Sequence, residues 1–110
     1  MITYNLTLED MPSRDKKLSN IAKVENFKSN KSGLPIANQF IITLQNGIEV
    51  FQSYNSIIAV KANNETYLDQ NRWNYSRTTS RYRNQFLNET TVETVKKIGF
   101  GNYTMVDLNK

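Results

Sequence analysis

Apolar and polar residues alternate along several stretches of this chain, a pattern typical of strands with one buried face. Residues 1–10 alternate in this way and predict a strand. Four further short runs lie between residues 39 and 68, separated by turn-forming residues at Gln45-Asn46-Gly47, Asn55-Ser56 and Ala62–Glu65. Asn-Gly between apolar runs favours a tight type I′ hairpin, because that turn requires positive φ at both central positions. The region 39–68 is therefore predicted to be an antiparallel β-meander.

A helical period replaces the alternation after residue 68. The spacing predicts a helix that begins at a cap formed by Ser76, Thr78 or Thr79 and ends near Leu87. We expect its apolar stripe to face the sheet, and that stripe consists of Tyr75, Thr79, Tyr82 and Phe86.

A second helix is predicted after a break at residues 88–91. Thr90 and Glu93 fit the capping box, in which each residue's side chain bonds the other's backbone N–H. The helix ends at about Gly99, and its apolar positions are Val92, Val95 and Ile98. Residues 102–108 then alternate again and predict a closing strand.

Residues 13–30 fit neither period clearly. Their apolar residues recur every three positions, so they spread around a helix and do not form one apolar face. The alternation near residue 24 is no stronger evidence for a strand. We interpret the segment as a short helix or an irregular arm, followed by a polar loop over Lys28–Pro35. Residues 13–35 together make a basic arm that includes Lys16 and Lys17. Spaced lysines on such an arm suit a phosphate backbone, and a solvated surface explains them equally well.

The order of elements is strand, basic arm, β-meander, two helices and strand. This order predicts an α+β fold, in which an antiparallel β-meander carries two C-terminal helices on one face and a closing C-terminal strand. The chain has 110 residues and shows no internal repeat or long linker, so we expect a single domain over 1–110.

Composition removes several kinds of chemistry. The chain has no Cys and no His, which excludes thiolate catalysis, disulfides and a histidine general base. Glu89 and Glu93 are four residues apart and could share a metal, but such a pair more often decorates a helix start. No phosphate-binding or nucleophile motif occurs. We therefore expect no enzymatic activity and no cofactor, and the lack of long apolar runs predicts neither secretion nor a membrane span.

The positive signal is a cationic, aromatic stretch over residues 67–87, which holds the only Trp and four arginines. The formal net charge of +4 mildly favours polyanionic partners. Guanidinium groups and helix N-termini both favour phosphate oxygens. We expect the arginines to face away from the sheet. The candidate nucleic-acid or partner-binding residues are Arg72, Arg77, Ser80, Arg81, Arg83 and Asn84, together with Lys16 and Lys17 of the basic arm.

The aromatic residues of this stretch have two explanations. Trp73, Tyr75 and Tyr82 would stack on bases if they are exposed. Alternatively, these rings and Phe86 form the core, and the arginines pair with nearby acids at 69, 89 and 93.

The C-terminal half, from Phe51 onward, resembles a group of small phage and plasmid proteins of low-GC Gram-positive bacteria. The matching elements are FQSYNSIIAV, YLDQNRWNYSRTTSRYRNQFL, ETTVETVKKI and GNYTMVDLN. The resemblance brings no established activity and no catalytic residues. It implies an accessory protein of a mobile element that acts in the bacterial cytoplasm.

Three functional hypotheses follow. The first is a module that binds nucleic acid or a nucleoprotein through the Arg/Tyr-rich helix. The second is an inhibitor of a host defence nuclease, of the anti-CRISPR or anti-restriction type, that acts by protein–protein contact. The third is a self-assembling structural module, so the chain is expected to be a monomer or a homodimer.

Overall fold

The structure is a computed structural model that describes residues 21–109. Within this range six strands form one sheet, and their spatial order follows their order in the chain. The predicted strand at residues 1–10, and Lys16 and Lys17 of the basic arm, lie outside the described residues. The strands are β1 (Ile21–Lys28), β2 (Pro35–Leu44), β3 (Glu49–Ser53), β4 (Ser56–Ala62), β5 (Glu65–Asp69) and β6 (Tyr103–Val106).

Strands β1 to β5 pair antiparallel with their neighbours, which confirms the predicted meander. Strand β6 instead pairs parallel with β5. A parallel neighbour needs a long crossover connection. Helices α1 (Arg77–Leu87) and α2 (Thr91–Gly99) supply it, so the predicted α+β order of meander, two helices and closing strand is confirmed.

Local capping explains where the helices begin and end. Ser76 is the N-cap of α1, and its Oγ accepts a hydrogen bond from the Thr79 backbone N–H at 3.1 Å. Asn88 closes α1 in the left-handed conformation, with φ of 56°. Thr90 and Glu93 form both bonds of the capping box at the start of α2, as the sequence predicts. The short break between the helices is thus fixed by polar residues on both sides.

The structure changes the prediction for residues 21–28, which are not a short helix or an irregular arm. They form strand β1, which lies at one edge of the described sheet and pairs with β2. Ala22 to Glu25 are exposed and only Phe27 of this strand is buried. A strand with so few buried side chains leaves almost no hydrophobic period in the sequence, so pattern analysis missed it. The loop is also shorter than predicted, because β2 already begins at Pro35.

Both faces of the sheet are apolar. On one face, buried rings of β1 and β3 meet rings of α1: Phe27 lies 5.4 Å from Tyr82 and Phe51 lies 5.9 Å from Phe86, measured between ring centroids. Both helices contribute to this cluster, since Ile98 of α2 packs against it. A second buried cluster occupies the opposite face and includes Val50, which precedes Phe51 in β3. The predicted placement of both helices on one face is therefore correct.

The topology gathers three connections at one end of the sheet, which we call the corner end. These are the loop at residues 29–34, the turn at residues 54–55 and the corner at residues 70–76 that leads into α1. Because β1 to β5 alternate in direction, the turns at residues 45–48 and 63–64 lie at the other end. Lys61 Nζ donates to the Phe86 carbonyl oxygen at 2.8 Å, so α1 also ends there.

Candidate nucleic-acid interface

The corner between β5 and α1 is built around the buried carboxylate of Asp69. One oxygen, Oδ2, accepts a hydrogen bond from the Asn71 backbone N–H at 3.1 Å. The other, Oδ1, accepts from the Leu108 backbone N–H at 2.8 Å and from Asn109 Nδ2 at 3.0 Å. Arg72 Nη1 lies 3.7 Å from Oδ2. Asp69 therefore acts as a structural clamp for the corner, and Arg72 is partly committed to it.

Arg83 is the largest fully buried side chain of the described residues, with no exposed surface. Its Nη1 donates to the Trp73 carbonyl oxygen at 2.7 Å and to Asn74 Oδ1 at 3.0 Å. Its Nη2 donates to Asn84 Oδ1 and Thr91 Oγ1, each at 2.8 Å. The expectation that Arg83 faces solvent is therefore wrong: the corner folds back over this side of α1 and covers it.

The charge on Arg83 is held by uncharged acceptors. All of its hydrogen-bond partners among the described residues are backbone carbonyl, amide or hydroxyl oxygens. Burial lowers the pKa of Arg83, and the nearby charge of Glu89 opposes that shift. The alternative explanation, in which this arginine forms an ion pair with Asp69, Glu89 or Glu93, does not hold for Arg83. A positive charge without a paired carboxylate keeps this side of α1 electropositive.

Ser80 and Asn84, both predicted to bind a partner, belong to the same internal network. Ser80 Oγ donates to Asn74 Oδ1 at 2.6 Å. Asn84 accepts from Arg83, and its Nδ2 lies 3.2 Å from Thr91 Oγ1. Both residues are half-buried. They position the corner against α1 and leave little side-chain capacity for a ligand.

Arg77 and Arg81 are exposed, as the sequence predicts. They are four residues apart in α1, which places them on one side of the helix about 6 Å apart along its axis. Neither side chain forms an ion pair or hydrogen bond with the residues at 21–109. Their guanidinium groups are thus presented to solvent from a regular helix.

The aromatic residues divide between core and surface. Tyr82 is buried among the rings of the helix-facing cluster. Trp73 is half-buried, and the Arg83 guanidinium carbon lies 5.1 Å from its ring centroid. Tyr75 alone of the three predicted stacking residues stands out from the surface, at 51% exposure. The core explanation therefore holds for Tyr82, and Tyr75 meets the condition of exposure that stacking on bases requires.

Three residues outside the predicted set also lie at the corner end. Tyr54 is 52% exposed in the turn after β3, where its φ is 55°. Lys28 and Lys31 are exposed in and beside the loop after β1. Sequence reasoning missed Tyr54 because it is distant from residues 67–87 in the chain, whereas Lys28 and Lys31 belong to the predicted basic arm. The predicted meander fixes the direction of each strand, and those directions would have shown that Tyr54 lies at this end of the sheet.

Both carboxylate oxygens of Glu89 accept hydrogen bonds from neighbouring side chains. Its Oε1 accepts from Lys97 Nζ at 2.7 Å and from the Tyr103 hydroxyl at 2.8 Å, and its Oε2 accepts from Thr94 Oγ1 at 2.5 Å. Burial raises the pKa of Glu89, but these hydrogen bonds outweigh it and the pKa is lowered overall. Glu93 is held in the capping box. The pair is structural, and residues 21–109 contain no cluster of three potential metal ligands.

The fold and the site define a small α+β protein with a rigid, basic and partly aromatic end. The chain belongs to a family of unknown function (DUF8033), which matches residues 22–102. This match begins well to the N-terminal side of Phe51, where the resemblance described in the sequence analysis begins. No curated protein and no solved structure matches the chain. No helix within residues 21–109 is long and apolar enough to cross a membrane.

Proposed function

We propose that this protein binds nucleic acid through the outward face of α1, with Arg77 and Arg81 as its phosphate contacts. The observation that carries the proposal is that both guanidinium groups are exposed and unpaired within the described residues. An arginine that stabilises a fold usually packs against other groups or pairs with an acid. Arg83 is packed and hydrogen-bonded inside the corner, and Arg72 pairs with Asp69. Two unpaired guanidinium forks on adjacent turns suit two successive phosphates.

The electrostatic surroundings favour an anion on this face. Arg83 adds a third positive charge on another side of the same helix, and its hydrogen-bond partners are all uncharged. The positive end of the α1 dipole lies at Ser76, and no acidic residue occupies the first turn. Among the described residues at the corner end, Asp69 is fully buried and Asp107 is half-buried. A polyanion that approaches Arg77 therefore meets little opposing charge.

The rigidity of the corner lowers the entropic cost of binding. Asp69 fixes the start of the corner, and the Arg83 network fixes its end against α1. Groups that are already ordered lose less conformational freedom when a ligand arrives. The arginines therefore project from a preorganised surface and not from a loop that must fold first.

The direct test is a binding titration with labelled DNA and RNA oligonucleotides. We expect the Arg77→Ala, Arg81→Ala double variant to bind roughly tenfold more weakly than the wild-type protein at low salt. The control removes the same charge elsewhere, by Lys23→Ala and Lys96→Ala, since both lysines are exposed and lie outside α1, in β1 and α2. Lys23 is paired with Glu25, with Nζ 3.3 Å from Oε2. Equal losses in both double variants would show that only net charge matters and would contradict a site on α1.

The resemblance of the C-terminal half indicates a cellular setting for this function. We propose that the protein is a non-enzymatic accessory protein of a mobile element in the bacterial cytoplasm. Guanidinium groups bind carboxylates in the same two-pronged geometry as phosphates, so an acidic surface of a host defence nuclease is the alternative partner. Affinity purification that returns such a nuclease after nucleic-acid digestion, together with no binding to oligonucleotides, would favour that alternative.

A further inference from the structure

We infer that the nucleic acid bound at this site is single-stranded, and that its bases stack on Tyr75 at the corner end. The inference rests on the proposed function and names the ligand class for it. It depends on three observations: the exposure of Tyr75 between fixed neighbours, the gathering of a second ring and two lysines at the same end, and the excess of positive charge at that end.

Tyr75 is both exposed and held in place. It lies between Asn74, whose Oδ1 accepts from Ser80 and Arg83, and Ser76, which caps α1. The residues on both sides of Tyr75 are therefore fixed, while half of its own surface faces solvent. A ring with fixed flanks provides a stacking surface at little entropic cost.

The sheet topology places a second exposed ring near the first. Ser53 Oγ and Thr79 Oγ1 are 2.9 Å apart, which joins the end of β3 to the first turn of α1. Tyr54 follows Ser53 directly, and Tyr75 precedes the same turn of the helix. Both rings therefore lie at the same end of the molecule, beside the start of α1.

The two lysines extend this surface to the other side of the sheet. Lys28 and Lys31 lie in and beside the loop after β1, three to four strand positions away from the corner after β5. With neighbouring strands about 4.8 Å apart, this separation is about 14–19 Å. A strand of a few nucleotides spans that distance, with phosphates near the lysines and arginines and bases near the tyrosines.

Positive charge is in excess at the corner end. The described residues there include four cations, namely Lys28, Lys31, Arg72 and Arg77, against the buried Asp69 and the half-buried Asp107. At the opposite end, Glu49 begins β3 and is paired with Lys61, whose Nζ lies 3.4 Å from Glu49 Oε1. The excess of positive charge attracts a polyanion to the corner end.

A duplex would not use these rings. The bases of a duplex are stacked on one another and present only their edges in the grooves. Duplex binding through α1 would therefore depend on Arg77 and Arg81 and not on Tyr75. Single strands expose base faces, and stacking on aromatic side chains is a main source of their affinity. The contribution of Tyr75 thus separates the two ligand classes.

The experiment compares a labelled pyrimidine single strand with a duplex of the same length, for wild type, Tyr75→Leu and Tyr75→Trp. We expect the wild-type protein to prefer the single strand. We expect Tyr75→Leu to weaken single-strand binding by about tenfold, and Tyr75→Trp to retain it, since any large ring can stack. The Arg77→Ala, Arg81→Ala double variant reports on phosphate contacts in parallel, and unchanged thermal unfolding of Tyr75→Leu shows that the fold is intact.

Two outcomes would overturn the inference, and they differ in what they say of the proposed function. If the single strand binds no more tightly than the duplex and Tyr75→Leu binds like wild type, while the arginine variant is weakened, the function stands and the ligand class is wrong. If neither oligonucleotide binds at low salt, the proposed function fails and the inference fails with it.

Discussion

Arg83 donates a hydrogen bond to the backbone carbonyl oxygen of Trp73 at 2.7 Å, and its guanidinium carbon lies 5.1 Å from the centre of the Trp73 ring. This contact joins the middle of α1 to the loop that precedes the helix. In the sequence the arginines of α1 look like one binding surface, but the structure divides them into two groups. One arginine holds the corner from within, and two arginines are presented to solvent.

We predict that Arg83→Met lowers the free energy of unfolding by about 2–3 kcal/mol, because it leaves several buried acceptors without donors. Arg83→Lys should be intermediate, since one ammonium group cannot serve both sides of the fork. Arg81→Met is the matched control, because Arg81 is exposed, and should change stability by less than about 0.5 kcal/mol. Urea unfolding followed by the fluorescence of Trp73 measures all three. Equal stability of the two methionine variants would contradict the role assigned to Arg83.

The pKa of Glu89 gives a prediction for the pH dependence of stability. Hydrogen bonds from Lys97, Thr94 and Tyr103 lower this pKa below its unfolded value of about 4.3. A carboxylate with a lowered pKa in the folded state stabilises the fold above its unfolded pKa, and the contribution disappears as pH falls through the folded pKa. We therefore expect a loss of stability below about pH 4.3 that is smaller in Glu89→Gln.

Glu93→Gln is a second test of the same argument, because the pKa of Glu93 is also lowered, by its hydrogen bonds with Thr90, and this variant should likewise lose less stability at low pH. Glu89→Gln should in addition lower stability at neutral pH by about 1–2 kcal/mol, since the carboxylate accepts bonds from three side chains. If stability falls with pH equally in wild type and in Glu89→Gln, this carboxylate does not link α2 to β6.

Gln39 is fully buried, and neither atom of its amide has a hydrogen-bond partner among the described residues. Burial of an unpaired polar group costs free energy. We predict that Gln39→Leu raises the free energy of unfolding by about 1 kcal/mol. The neighbouring Ser53 lies directly opposite in β3, and Ser53→Ala should have the reverse effect because Thr79 loses a partner. A marked loss of stability in Gln39→Leu would show that its amide is paired.

The meander was predictable because its signals are local. The short apolar runs in β3 and β4 and the turn residues between them are read directly from neighbouring positions. One detail differs: Gly47 alone has positive φ in its turn, whereas Asn63 and Asn64 both do, so the type I′ signature falls on the hairpin between β4 and β5. The Thr90–Glu93 capping box was equally local and was correctly predicted.

The remaining features depend on contacts between distant residues. Strand β1 has little apolar alternation of its own and becomes a strand by pairing with β2. Arg83 follows Tyr82 in α1, and nothing in the helix alone shows that Trp73 and Asn74 fold over it. Helix α2 buries Thr94 while Val92 is exposed, the opposite of what hydrophobicity predicts. Thr94 is buried because its hydroxyl bonds Glu89.

The salt dependence of binding tests the central claim most directly. Each phosphate neutralised by the protein contributes about 0.7–0.9 to the slope of log affinity against log salt concentration. We predict that Arg77→Ala with Arg81→Ala reduces this slope by about 1.4–1.8 for an oligonucleotide ligand, while the Lys23→Ala, Lys96→Ala control leaves it unchanged. A slope that is the same in the arginine variant and the wild-type protein would show that these two side chains do not contact phosphates.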